Sequence, residues 1–122
     1  MNQENTAQTP PMATFTLQQL TAEHGQAAKL YLEFLRVPAM SVGLYRLAAG
    51  TNDPQQPHSE DELYYIVSGR ASILVGETDT PVAAGSLVFV AAQVEHRFHD
   101  IAEDLSVLVF FAPAEYSRRE DR

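Results

Sequence analysis

The chain has no cysteine among its 122 residues. A disulfide framework and any thiolate site are therefore excluded, and the composition agrees with a reducing cytoplasm. Positive charge is scarce too: 8 Lys and Arg stand against 16 Asp and Glu, for a net charge of −8. Nucleic-acid phosphates and anionic membrane surfaces repel such a chain, so no nucleic acid and no membrane is expected as a partner. No apolar run is long enough to span a bilayer, and residues 1–14 lack the basic-then-apolar order of a secretory leader. A soluble cytoplasmic protein is expected.

What is present is an apolar content of 45%, ordinary for the core of one domain. Residues 1–13 are polar, carry Pro10-Pro11 and read as a flexible tail. The domain is expected over residues 14–114, with residues 115–122 as a charged C-terminal tail. Thr16 can cap a short helix through Leu17, Leu20 and Ala22, with Gln19 at the capping-box position and Gly25 as the stop. His24, in the last turn, reads as a favourable charge at a helix C-terminus.

Beyond this point helical periodicity gives out. Residues 29–37 alternate, with Leu30, Leu32 and Phe34 against Tyr31, Glu33 and Leu35, until Pro38 ends the run. Residues 40–48 make a second strand, Ser41, Gly43, Tyr45 and Leu47 opposing Met40, Val42, Leu44 and Arg46. The pattern does not say which set faces inward, and so leaves open whether Arg46 reaches a pocket or points to solvent. Short strands follow at residues 63–67, 71–75, 81–82, 87–90, 95–99 and 105–111. Turn signals separate them at Ser68-Gly69, 76–79, Ala84-Gly85, 91–93 and 100–104. Many short strands with so little helix predict an all-β, single-domain antiparallel barrel or jelly roll with a short N-terminal helix. The last strand is apolar on both faces, Leu105, Val107, Val109 and Phe111 against Leu108 and Phe110. It lies either inside a sandwich or at a subunit interface.

The chemistry gathers in residues 50–69, where a Pro-punctuated loop becomes a strand. His58 and Glu62 sit across that junction, so imidazole and carboxylate can converge on one point, a pairing suited to Zn, Fe, Mn or Ni. Glu60 and Asp61, beside them, read as solvated acids at a strand entrance. Asn52-Asp53-Pro54 forms a turn, and Pro57 stiffens the approach to His58.

The spacing Gly50, Gln56, His58, Glu62, Gly69 resembles the first motif of the cupin family, which has His where this chain has Gln56. A second motif follows in Gly85, Ala91, Gln93, His96 and Asp100; it keeps the glycine and the histidine but has Ala91 for Pro, Gln93 for Gly and Asp100 for Asn. The resemblance implies a small β-barrel and carries over His58, Glu62 and His96 as ligands of a divalent transition metal (Zn, Fe, Ni or Mn). Parity agrees: an inward Glu62 brings Tyr64 and Ile66 with it, and an inward His96 brings Phe98 while Arg97 and His99 face out. Tyr64 and Phe98 are thus expected to line the pocket. Gln56 completes a weak fourth ligation, yields its place to water, or bonds the substrate. Free histidine titrates near 6.5, so metal should be lost below about pH 6.

No catalytic general base distinct from the ligands stands out. The expected function is a metal-binding cupin that holds a small organic molecule, as an oxygenase or isomerase, or as a binding or sensing module without chemistry. The apolar last strand and the similarity to cupins that pair through sheet faces imply a homodimer.

Overall fold

The computed structural model describes residues 9–55 and 57–117. Its helix α1 (Leu17–Gln26) begins where the sequence places it. Thr16 stays extended, and its hydroxyl accepts from the Gln19 N–H at 3.1 Å, a cap worth about 1 kcal/mol. Gly25 does not stop the helix, which runs on to Gln26; the Ala27 N–H then returns to the Glu23 and His24 carbonyls. His24 is no surface charge. It is buried, and its Nε2–H donates to the Leu30 carbonyl at 2.6 Å, tying the helix end to the first strand.

The strands are β1 (Tyr31–Val37), β2 (Met40–Leu47), β3 (Asp61–Val75), β4 (Thr78–Ala83), β5 (Leu87–Val90) and β6 (His96–Ala112). They pair antiparallel in the order β1-β2-β6-β3-β4, with β5 also on β3. Helix α1 lies against β1 and β2.

Two expected breaks are not breaks. Ser68-Gly69 and residues 100–104 lie inside the long strands β3 and β6, each of which joins two of the expected short ones. Turn-forming residues in a paired strand make bulges instead of turns, because the ladder on either side holds. The β3–β6 register shifts between Ile66 and Ser68, between Ser68 and Arg70, and between Arg70 and Ser72. Gly69 has φ +99, and a Cβ there would stand 2.3 Å from the Asp104 carbonyl oxygen. Only glycine fits such an approach. These bends let the sheet curl over itself into a barrel.

The interior follows the two-residue period. Tyr45, Leu47, Tyr64, Ile66, Ile73, Val82, Val90, Phe98, Leu105, Val107, Val109 and Phe111 form one buried core. Arg46 has the opposite parity and its Nε donates to Ser106 Oγ at 3.0 Å, so it does not reach the interior. On that outer face Phe110 pairs with Leu63 and Leu63 with Phe89, while Leu108 pairs with Tyr65 and Tyr65 with Leu87. Leu87 and Phe89 are 65% and 61% exposed.

Of the expected tails, residues 1–8 and 118–122 lie outside the described residues, while Glu115 is packed against the domain. The Glu115 N–H donates to Ser41 Oγ at 2.9 Å, and Arg36 Nη2 donates to the Glu115 carbonyl at 2.6 Å.

Candidate metal centre

The segment that precedes β3 is fastened ahead of His58. Buried Asp53 is the latch: it accepts from the Tyr45 hydroxyl, from the Phe98 N–H at 2.8 Å and from Gln55 Nε2 at 3.0 Å. The Tyr64 hydroxyl donates to Gln55 Oε1 at 3.0 Å. Past the loop's end, the Gln93 N–H donates to the His58 carbonyl at 2.7 Å, with Gln93 at φ +70. That conformation explains why the resembled motif has glycine at this position.

His58, Glu62 and His96 each offer a ligand atom, and the three atoms lie within 4.8 Å of one another. Glu62 Oε1 is 3.5 Å from His58 Nδ1 and 3.2 Å from His96 Nε2. His96 pairs with Val75 at the far end of β3 from Glu62, so only the curl of the barrel brings them together. All three residues are buried, yet His58 Nδ1, His96 Nε2 and both Glu62 carboxylate oxygens have no hydrogen-bond partner. The nitrogens face the carboxylate without the alignment of a hydrogen bond. Without an ion the cluster is held by charge attraction alone, since none of these atoms makes an aligned hydrogen bond. Donors about 2.0–2.2 Å from one ion stand about 3–3.5 Å apart. The two spacings from Glu62, the burial and the nitrogen and oxygen donor set fit a divalent transition metal.

The other ring nitrogens are engaged. His96 Nδ1–H donates to the Val94 carbonyl at 2.9 Å, and His58 Nε2 lies 3.0 Å from Glu115 Oε2. Burial pulls the pKa of His58 down, but the Glu115 and Glu62 carboxylates outweigh it and push it up to about 9. Burial likewise opposes the shift at His96, which Glu62 and the Val94 carbonyl raise. For Glu62 burial works upward, yet the two imidazoles hold it down at about 2. Tyr64, buried, is pushed well above the ordinary tyrosine range.

Tyr64 and Phe98 are buried as expected, their rings 5.1 Å apart, and Tyr64 lies 6.0 Å from the His96 ring. Gln56 lies outside the described residues. Glu60 is not a solvated acid: it is 1% exposed and accepts from the Tyr116 N–H at 2.7 Å. Asp61 is exposed and accepts from the Ala92 N–H. His99 faces Asp79 at 2.7 Å and Asp100 at 3.1 Å, away from the triad.

Several neighbours escape the sequence reading. Phe111 stacks 4.7 Å from the His58 ring and Tyr116 5.8 Å from it. Tyr31 reaches across Gly43, where a Cβ would stand 2.2 Å from its Cζ. Its hydroxyl is buried without a partner. Burial raises its pKa, and so do the charges of Glu115, Glu33 and Glu62. Tyr31 faces Tyr45 in the ladder and its ring leans diagonally over Gly43, opposite Glu33, a glycine that was its one sequence signal; Glu115 left none. An open groove of about 400 Å³, lined by residues that include Arg70, Ser72, Ser86 and Asp100, contains none of the triad.

Residues 43–111 match the family model described as the cupin domain. An uncharacterised protein of Streptomyces coelicolor is 56% identical over 104 residues, covering 85% of this chain and 99% of that protein. Among solved structures, TT1209 of Thermus thermophilus is 24% identical with a TM-score of 0.69, over 84% of this chain and 99% of the other. The DMSP lyase DddQ of Ruegeria pomeroyi is 22% identical with a TM-score of 0.58, over 62% of this chain and 39% of that one. These two likenesses concern the fold.

Proposed function

The chain belongs to the cupin family, and from that premise we propose that it is a cytoplasmic metal protein that holds a small organic molecule in its barrel, as an oxygenase or isomerase. One observation carries the reading: His58, Glu62 and His96 each bring a buried ligand atom without a hydrogen-bond partner to within 4.8 Å of the other two. A divalent transition metal there would supply Lewis-acid polarisation and, if it is iron, access to dioxygen. Three protein ligands leave positions open for a substrate oxygen. Glu62 supplies the one negative charge of the triad, while His58 and His96 bind as neutral imidazoles. Tyr64, Phe98 and Phe111 keep the walls dry, and the Tyr31 hydroxyl can donate to a bound ligand. Absence of cysteine supports the reducing compartment.

A binding or sensing module is the second reading, and Tyr64 favours it. Its hydroxyl is committed to Gln55, so the nearest phenol beside Glu62 is not free to move a proton. Anaerobic loading with Fe(II), followed by small diketones, enols, thiols and hydroxy acids, separates the two. Substrate-dependent oxygen uptake that vanishes in Glu62→Ala supports the oxygenase. Ligands that bind by calorimetry but are never converted with Fe, Mn, Ni or Zn support the module instead.

The exposed apolar face built by Leu63, Tyr65, Leu87 and Phe89 supports a homodimer. Light scattering should give about twice 13.5 kDa. A monomer at tens of micromolar would refute the pairing.

A further inference from the structure

The family match ends at residue 111, yet the most direct polar contact of His58 outside the triad comes from beyond it. Glu115 is 8% exposed. Its backbone is seated from both sides, the N–H on Ser41 Oγ at 2.9 Å and the carbonyl under Arg36 Nη2 at 2.6 Å. The next residue is held as well, Tyr116 N–H to Glu60 Oε1 at 2.7 Å. A segment fixed at three points delivers one carboxylate oxygen to within 3.0 Å of His58 Nε2. The opposite ring nitrogen, Nδ1, is the unpartnered one that faces Glu62.

We propose that Glu115 is the positioning residue of the metal centre: by taking the Nε2–H of His58 it fixes the ring so that Nδ1 presents its lone pair to the ion. The role rests on the metal-binding reading above. His96 is held the same way by a different device, its Nδ1–H on the Val94 carbonyl and its Nε2 turned inward. Each imidazole of the site thus has one nitrogen engaged outside and one left for the ion. Carboxylate and carbonyl partners of this kind orient a ligating histidine and raise its basicity, and their loss costs about 10–100-fold in metal affinity. Glu115 touches no reacting atom in this role; it acts through His58.

The test compares Co(II) and Zn(II) binding of the full chain with Glu115→Ala, Glu115→Gln and His96→Ala, by competition titration and by the visible spectrum of the cobalt form. Glu115→Ala should bind about 10–100-fold more weakly, with an altered cobalt spectrum. Glu115→Gln keeps an acceptor oxygen of nearly the same shape and should recover most of the affinity and the wild-type spectrum. Thermal melts of the metal-free proteins show whether each variant is folded, and Glu115→Leu, which fills similar space without an acceptor oxygen, takes the place of Glu115→Ala in every comparison should the Ala variant fail to fold. Wild-type affinity in both variants, or a folded Glu115→Gln that binds as weakly as Glu115→Ala, overturns the role. If wild type binds no cobalt or zinc, or binds them no more tightly than His96→Ala, the metal reading fails and this role falls with it.

Discussion

Raising the pH from 7 to 9 should strengthen metal binding and weaken the metal-free fold. His58 has a pKa of about 9 in the folded protein. A ligating imidazole must first give up its proton, so two pH units and one proton predict an affinity gain of roughly 100-fold. His96 is also raised and adds to the slope. The sequence alone places this transition near pH 6; the Glu115 and Glu62 carboxylates around His58 move it upward. The metal-free fold responds with the opposite sign. His58 is raised from 6.5 to about 9, so its attraction to Glu115 and Glu62 is fully present below pH 6.5 and is lost as the pH rises through 9, a change of about 3 kcal/mol. Glu62 is lowered from 4.5 to about 2, so its share is present above pH 4.5 and lost as the pH falls through 2. Both describe one ion-paired cluster and do not add. Metal-free protein should therefore melt highest between about pH 4.5 and 6.5. Thermal melts with and without zinc from pH 6 to 9, with a competition titration at each pH, measure both trends. Zinc affinity that levels off by pH 7, or a metal-free melting temperature that climbs from pH 7 to 9, would refute the charge arrangement around His58.

Asp53→Ala strips acceptors from the Tyr45 hydroxyl, the Phe98 N–H and Gln55, and should lower unfolding stability by about 2–4 kcal/mol in denaturant titration; Asp53→Asn should lose less. Tyr31→Phe removes a buried hydroxyl that has no partner, so metal-free stability should hold or rise by up to about 1 kcal/mol. A loss above that would show a bond that the structure lacks. Gly43→Ala, by contrast, drives a methyl to 2.2 Å from the Tyr31 ring and should cost about 1–3 kcal/mol by the same assay.

The parts of this architecture that were legible in the sequence are those encoded by period and spacing. Alternation turned Glu62, Tyr64 and Ile66 inward together, and put His96 and Phe98 on one face with Arg97 outside, as the burial of β3 and β6 bears out. Thr16 announced its cap. What local sequence does not carry is the partner across the sheet. Ser68-Gly69 looks like a turn because a turn and a bulge use the same residues, and only the ladder with β6 distinguishes them. His24 and Glu60 are polar side chains whose burial depends on acceptors and donors elsewhere along the chain, the Leu30 carbonyl and the Tyr116 N–H. Glu115 stood among charged tail residues with no spacing to mark it. Its place beside His58 follows from the seat on Ser41 and Arg36, which the fold alone creates.

Elemental analysis of protein purified without added metal, run beside His58→Ala, Glu62→Ala, His96→Ala and His99→Ala, tests the central claim most directly. The ligand atoms of the three triad residues lie within 4.8 Å of one another, whereas His99 pairs with Asp79 and Asp100. Wild type and His99→Ala should carry close to one transition-metal ion per chain, and each triad variant close to none. Full occupancy in His96→Ala, or a wild-type chain that holds no stoichiometric metal even after zinc loading, would contradict it.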